Sequence, residues 1–131
     1  NYLKENKIKF IPLRVSAPFH CSLMQPAAEV MKSIIEKINF KSPSTDIINN
    51  VTAREESNPE KIKELLFKQI YSTVRWRESI INMSKESIQT FVEIGPGKVL
   101  TGMVKRTLKN VNCFSINTIT DIKNLSNEFK K

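Results

Sequence analysis

The chain has 131 residues and a mass of 15.1 kDa, the size of one domain or of a piece of a larger one. Apolar residues make up 40% of it, enough for a modest core, which excludes a disordered chain. Lys and Arg number 21 against 13 acids, and the resulting net charge of +8 favours acidic partners such as nucleic acid, an anionic membrane or an acidic protein.

The basic residues do not form one block. They alternate with acids, as in Lys61-Ile62-Lys63-Glu64 and Arg75-Trp76-Arg77-Glu78, which is the pattern of solvated helix faces. Cys21 and Cys113 lack metal-ligand spacing and read as reduced thiols. No apolar run approaches the roughly 20 residues needed to span a bilayer. Asn1 to Lys7 offers neither an initiator Met nor a signal-peptide core, so the chain reads as one that begins inside a longer protein.

Lys9 to Val15 is apolar and β-branched enough to predict a strand. Pro18 biases Ala17 toward extended geometry and ends it. His20, the only histidine, follows at a strand-to-helix junction, where a rigid scaffold can hold a side chain at the rim of a cleft. Ser22 to Asn39 then reads as a helix, with Leu23, Ala27, Val30, Met31, Ile34, Ile35 and Ile38 on one apolar face and Pro26 tolerated in the first turn. Asp46 to Val51 is a short predicted strand, and Thr52 to Ser57 a polar loop. Asn58-Pro59-Glu60 starts a helix, with a capping Asn, Pro at the first turn and an acid at the positive end of the dipole.

Arg75-Trp76-Arg77 leads into a helix from Glu78 to Ser87. Thr90 to Ile94 is a strand that stops at Gly95-Pro96-Gly97, Lys98 to Leu108 a helix, Val111 to Asn117 a strand and Asp121 to Phe129 a last helix. Strands alternating with helices, without internal repeats, predict an α/β fold with a mostly parallel sheet and flanking helices. In such sheets ligands gather at the carboxyl ends of strands, which is where His20 and Gly95-Pro96-Gly97 both fall.

An imidazole can take or give a proton near neutrality, so His20 is a candidate general acid and base; a histidine simply bonded to a backbone carbonyl accounts for it equally. Cys21 is poorly placed as its nucleophile, because neighbouring side chains of an extended chain point to opposite faces. Gly95-Pro96-Gly97-Lys98 lacks the earlier glycine and the following Ser or Thr of a phosphate loop, with Val92 and Val99 in those positions, and reads as a tight turn. Gly-x-Ser-x-Gly is absent, and a lone histidine with two remote cysteines makes no metal site. Trp76 between two arginines could stack a base, but without aromatic interleaving elsewhere a packed Trp is the better reading.

Five segments nevertheless occur in an informative order. They are Ser16-Ala17-Pro18-Phe19-His20-Cys21-Ser22-Leu23-Met24, Ile48-Asn49-Asn50-Val51, Lys68-Gln69-Ile70-Tyr71, Val74-Arg75-Trp76, and Val92-Glu93-Ile94-Gly95-Pro96-Gly97-Lys98-Val99-Leu100-Thr101-Gly102. From about residue 9 to residue 120 the set resembles the C-terminal part of the malonyl-CoA:acyl carrier protein transacylases of fatty acid synthesis.

The resemblance implies the C-terminal part of a hydrolase-like, mostly parallel sheet, with the ferredoxin-like small subdomain mostly absent. Residues 1–17 would end that subdomain and return to the main sheet, and residues 18–131 would belong to the large acyltransferase domain. It implies malonyl transfer from coenzyme A to acyl carrier protein through a serine acyl-enzyme. His20 matches the family's catalytic histidine, and Gln69 the residue whose backbone carbonyl orients that imidazole. Phe19 matches a position associated with choosing malonyl over branched extenders.

The serine, the malonyl-binding arginine and the oxyanion-hole glutamine would all lie in a missing N-terminal portion, so this part is expected to be inactive alone. Beyond that portion the implied partners are acyl carrier protein and malonyl-CoA, with no cofactor, metal, nucleic acid or membrane. The alternative is a non-catalytic basic binding module for an acidic protein or nucleic acid, with binding steep in salt. Abundant Lys, Asn and Ile fit an AT-rich genome, and with it a bacterial cytoplasm or an organelle of bacterial descent, plastid or mitochondrion.

Overall fold

The computed structural model describes residues 1–11 and 16–130. Helix α1 spans Tyr2–Glu5, a single turn absent from the sequence reading. Lys9 to Ile11 are irregular rather than strand, and the remainder of the strand expected over Lys9–Val15 lies outside the described residues. Helix α2, Gln25–Ile35, is preceded by a 3₁₀ turn at Ser22–Met24 and carries Pro26 in its first turn, where the missing N–H costs nothing.

A two-residue antiparallel hairpin follows, β1 at Ile47–Ile48 and β2 at Glu55–Glu56, with Ile47 opposite Glu56 and Ile48 opposite Glu55. The sequence reading made 52–57 a loop, and β2 corrects it. Two consecutive glutamates carry no strand signal, and the pairing comes from a tight turn. In that turn Ala53 N–H donates to the Asn49 carbonyl at 2.8 Å, and Val51 N–H to Asn49 Oδ1 at 2.7 Å. Ala53 sits at φ 55° with no exposed surface.

Helix α3, Pro59–Lys68, starts where the capping signal placed it. Asn58 Oδ1 accepts from Glu60 N–H at 3.0 Å and Lys61 N–H at 3.1 Å. Its buried Ile62 and Leu65 face α2, whose Ala28 and Ile35 are buried. Helix α4, Trp76–Lys85, begins two residues before the expected Glu78, without a side-chain cap.

The rest is a parallel β-α-β unit. Strand β3, Thr90–Ile94, pairs with β4, Asn112–Ile116, from Thr90 opposite Asn112 to Ile94 opposite Ile116. Helix α5, Val99–Thr107, packs on both strands and on α4, and helix α6, Ile119–Glu128, packs on β4. Thr118 and Asp121 form a reciprocal capping box at the start of α6. The expected parallel pairing is thus present at β3–β4, while β1 pairs with β2 instead of extending that sheet. The central buried residues are Ala28, Ala53, Ile62, Leu65, Ile80 and Val104.

No helix among the described residues is long and apolar enough to cross a membrane.

Candidate active site

The turn Pro18-Phe19-His20-Cys21 stands just before the 3₁₀ turn that opens α2. Phe19 N–H donates to the Ala17 carbonyl at 2.9 Å, which folds the chain tightly around Pro18. His20 takes φ 58°, the left-handed region that costs a residue with a Cβ about 1–2 kcal/mol. Cys21 returns to extended geometry at φ −141° and ψ 173° and leads into the next turn, Met24 N–H donating to the Cys21 carbonyl at 3.0 Å. This reversal presents both Phe19, 59% exposed, and the His20 ring to solvent.

His20 Nδ1 lies 2.9 Å from the Gln69 carbonyl oxygen, across 49 residues of sequence. Gln69 is the C-cap of α3. The last carbonyls of a helix lack intrahelical donors and carry the negative end of its dipole, so the Gln69 oxygen is free to accept. A carbonyl only accepts, and the contact therefore requires a hydrogen on Nδ1. In the neutral ring that leaves the Nε2 lone pair available as a base. The two readings of His20 left open by the sequence turn out to be compatible, for an imidazole bonded to a carbonyl through Nδ1 is one prepared to act through Nε2.

The elements that hold Gln69 are themselves tied down. Arg75 N–H donates to the Asn50 carbonyl at 3.0 Å, and its guanidinium reaches the Thr52 carbonyl at 3.3 Å and Glu78 at 3.4 Å. The α3–α4 connector is thereby fastened to the β1–β2 hairpin. Asn82 Nδ2 bonds the Ala53 carbonyl at 2.8 Å from the other side. Sequence reasoning gave Asn82 no role. Only its place on the inner face of α4, three residues after the buried Ser79, hints at one.

Gly95-Pro96-Gly97 is a structural turn, with Gly95 at φ 136° and Gly97 at φ 98°. Gly97 N–H donates to Asn117 Oδ1 at 2.6 Å, and the N-terminus of α5 is occupied by a carboxylate from β3. Glu93 accepts from Leu100 N–H at 3.1 Å and Thr101 N–H at 2.7 Å. The donors a phosphate would need are already used. The Thr101 N–H, then the Thr101 hydroxyl and the neighbouring amides hold the Glu93 carboxyl below the usual carboxylate range.

On α3 and at the start of α4, basic side chains are paired with neighbouring acids. Glu64 joins Lys61 and Lys68 on α3, Lys63 lies 3.9 Å from Glu60, and Arg75 meets Glu78. Hydrogen bonds from Lys61 and then Lys68 draw the Glu64 carboxyl down to about 2. Trp76 is half-buried and lines a cleft with Ile80, Met83, Phe91 and Val104, so it is packed rather than offered to a base.

No family model matches the sequence. Individual relatives do. The chain is 44% identical to the malonyl CoA-acyl carrier protein transacylase of Bacillus subtilis over 114 residues, 86% of this chain and 36% of that protein. It is 38% identical to the enzyme of the same name from Haemophilus influenzae over 109 residues, 83% of this chain and 35% of the relative.

Among solved structures, the malonyl CoA-acyl carrier protein transacylase of Clostridium perfringens superposes with a TM-score of 0.87 at 34% identity, over 98% of this chain and 41% of that one. A malonyl-transacylase solved in complex with its type II PKS acyl-carrier protein gives 0.78 at 38% identity, over 89% of this chain and 38% of that one. The chain thus spans a little over a third of the length of the curated relatives it matches. Over the part it spans, in sequence and in its α/β fold, the chain is similar to malonyl CoA-acyl carrier protein transacylases.

Proposed function

We propose that this chain is the histidine-bearing C-terminal portion of an enzyme that moves a malonyl group from coenzyme A to acyl carrier protein. The observation that carries the proposal is the 2.9 Å contact of His20 Nδ1 with the Gln69 carbonyl, in a chain similar to transacylases. A carbonyl plays here the part that an aspartate plays in hydrolase triads, fixing the tautomer and orienting the ring.

In the proposed mechanism a serine of the N-terminal portion attacks the malonyl thioester as His20 Nε2 takes its proton. Collapse of the tetrahedral intermediate expels the thiolate of coenzyme A, which receives that proton. The phosphopantetheine thiol of acyl carrier protein then attacks the serine ester, again losing its proton to Nε2, and the serine oxygen leaves protonated. The net positive charge favours encounter with an acidic carrier protein, and a structure neighbour is itself a complex with an acyl carrier protein. The division into residues 1–17 and 18–131 and the bacterial cytoplasm as setting belong to the same proposal; the relatives named above are bacterial.

A chimera tests it: this chain in place of the matching third of the Bacillus subtilis relative, assayed for malonyl transfer to acyl carrier protein. The chimera is expected to be active and the isolated chain inactive. His20→Ala is expected to lower kcat by at least about 10²–10⁴-fold, the usual worth of a positioned acid–base group. Gln69→Ala should leave the rate within a few-fold, because the contact is made by the main chain. A His20→Ala chimera as active as its parent overturns the proposal.

A further inference from the structure

Cys21 has no part in the mechanism above, yet its thiol is directed at the turn that carries His20. Sγ donates to the Pro18 carbonyl at 3.1 Å, bridging the first and last residues of the turn from the side-chain direction. His20 occupies the third position of that turn with φ 58°, where glycine or asparagine is the favoured occupant. A histidine there is held in a conformation it does not prefer, and such strain persists only where surrounding contacts over-determine it.

The contacts available can be named. Phe19 N–H to Ala17 folds the entry, Met24 N–H to Cys21 anchors the exit, and His20 Nδ1 to Gln69 ties down the ring. The thiol adds a side-chain bond from entry to exit, across the backbone turn at Phe19 and His20. Cys21 is half-buried and unpaired with the other cysteine, so neither a disulfide nor a place in the deep core accounts for it.

We propose that Cys21 is a positioning residue for His20: its thiol, bonded to the Pro18 carbonyl, holds the turn that aims the imidazole at the Gln69 carbonyl and thereby keeps hydrogen on Nδ1. The inference rests on His20 being the group that moves protons. When the bond is lost, the turn relaxes toward ordinary negative φ, the ring swings off the Gln69 oxygen, and both neutral tautomers become populated. Only the form with a bare Nε2 directed at the nucleophile is competent, so kcat falls in proportion.

The test uses the active chimera in Cys21→Ala and Cys21→Ser forms, with steady-state kinetics and ¹⁵N spectra of labelled histidine; His20→Gln identifies the His20 signals. A thiol hydrogen bond is weak, so Cys21→Ala is expected to lower kcat by about 2- to 5-fold with KM within about twofold. In the same variant the two His20 ring nitrogens should move from one protonated and one bare shift toward their average. Cys21→Ser retains a donor in the same position and is expected to restore both readouts.

Unchanged kcat and spectrum in Cys21→Ala overturn the proposal. So does a fall in kcat with an unchanged spectrum, because the thiol would then act on something other than the ring. A serine variant no better than alanine also overturns it. Failure of the catalytic reading is separate: it appears as a His20→Ala chimera that keeps its activity, whatever the spectra show.

Discussion

Phe19 and His20 share one turn, and the backbone that exposes the imidazole exposes the aromatic ring beside it. If acyl groups reach Nε2, they pass within reach of that ring. A bulky ring tolerates the α-methylene of a malonyl group and crowds an α-methyl substituent, a steric discrimination of roughly 1–3 kcal/mol. Phe19→Ala in the chimera is therefore expected to raise kcat/KM for methylmalonyl-CoA relative to malonyl-CoA by about 10- to 100-fold. Competition between the two thioesters measures the ratio directly, and an unaltered ratio removes Phe19 from any role in selectivity. The contact of Gln69 with His20 shows what a sequence cannot display at this scale. Its side chain is immaterial to the contact, so no residue-type argument could find it. The order of segments in a known family pointed there instead, and the helix-end carbonyl supplies the physical reason.

Helices and strands were legible where their signals are local. Asn58 lies beside the amides it caps, and α3 begins as its sequence predicts. Helix α4 starts earlier than predicted because nothing caps it from the side chain, and β2 escaped because its pairing is imposed by the turn at Asn49. The start of α5 is a third case. Its cap is Glu93, on the preceding strand, and a partner seven or eight residues away is not visible to a search for Ser, Thr, Asp or Asn at the boundary.

That cap gives α5 a pH dependence with a definite sign. Hydrogen bonds in the folded state, the Thr101 amide foremost, lower the Glu93 pKa below its unfolded value. Its contribution is then fully present above the unfolded carboxylate range and is lost as pH falls through the lower, folded value. Between pH 7 and pH 3 the melting temperature of the chimera should decline more for the parent than for Glu93→Gln, which has no such charge to lose. Parallel declines would mean that the carboxylate is not what holds the start of α5.

At the scale of the whole molecule, the chain exposes 10401 Å², against about 7,100 Å² expected of a compact monomer of its mass. The excess is at least comparable to what each partner of an obligate interface buries, roughly 1,000–2,500 Å². Much of it is apolar and ordered. Leu23, Ala27, Val30 and Ile34 recur at spacings of four, three and four along α2 and its preceding turn, and Leu23 and Val30 are 71% and 67% exposed. The sequence marks these residues as one apolar face at helical spacing. Only Ala28 and Ile35 of α2 are buried, against α3. Periodicity reports that a face is apolar and cannot report what covers it.

The same openness recurs beside β3, where Trp76, Ile80, Met83, Phe91, Leu100 and Val104 line a cleft of about 320 Å³. Such faces are stable when covered. The isolated chain is accordingly expected to bind the dye ANS strongly, to self-associate with rising concentration, and to exchange the amide hydrogens of Thr90 to Ile94 rapidly. In the chimera the relative's N-terminal portion is expected to cover these faces, so dye binding should fall and the same amides should be protected by orders of magnitude. An isolated chain that stays monomeric, leaves the dye dark and protects β3 as well as the chimera does would show that these faces need no cover. The catalytic proposal would then lose its physical reason for a second portion, and His20 would have to be explained within this chain alone.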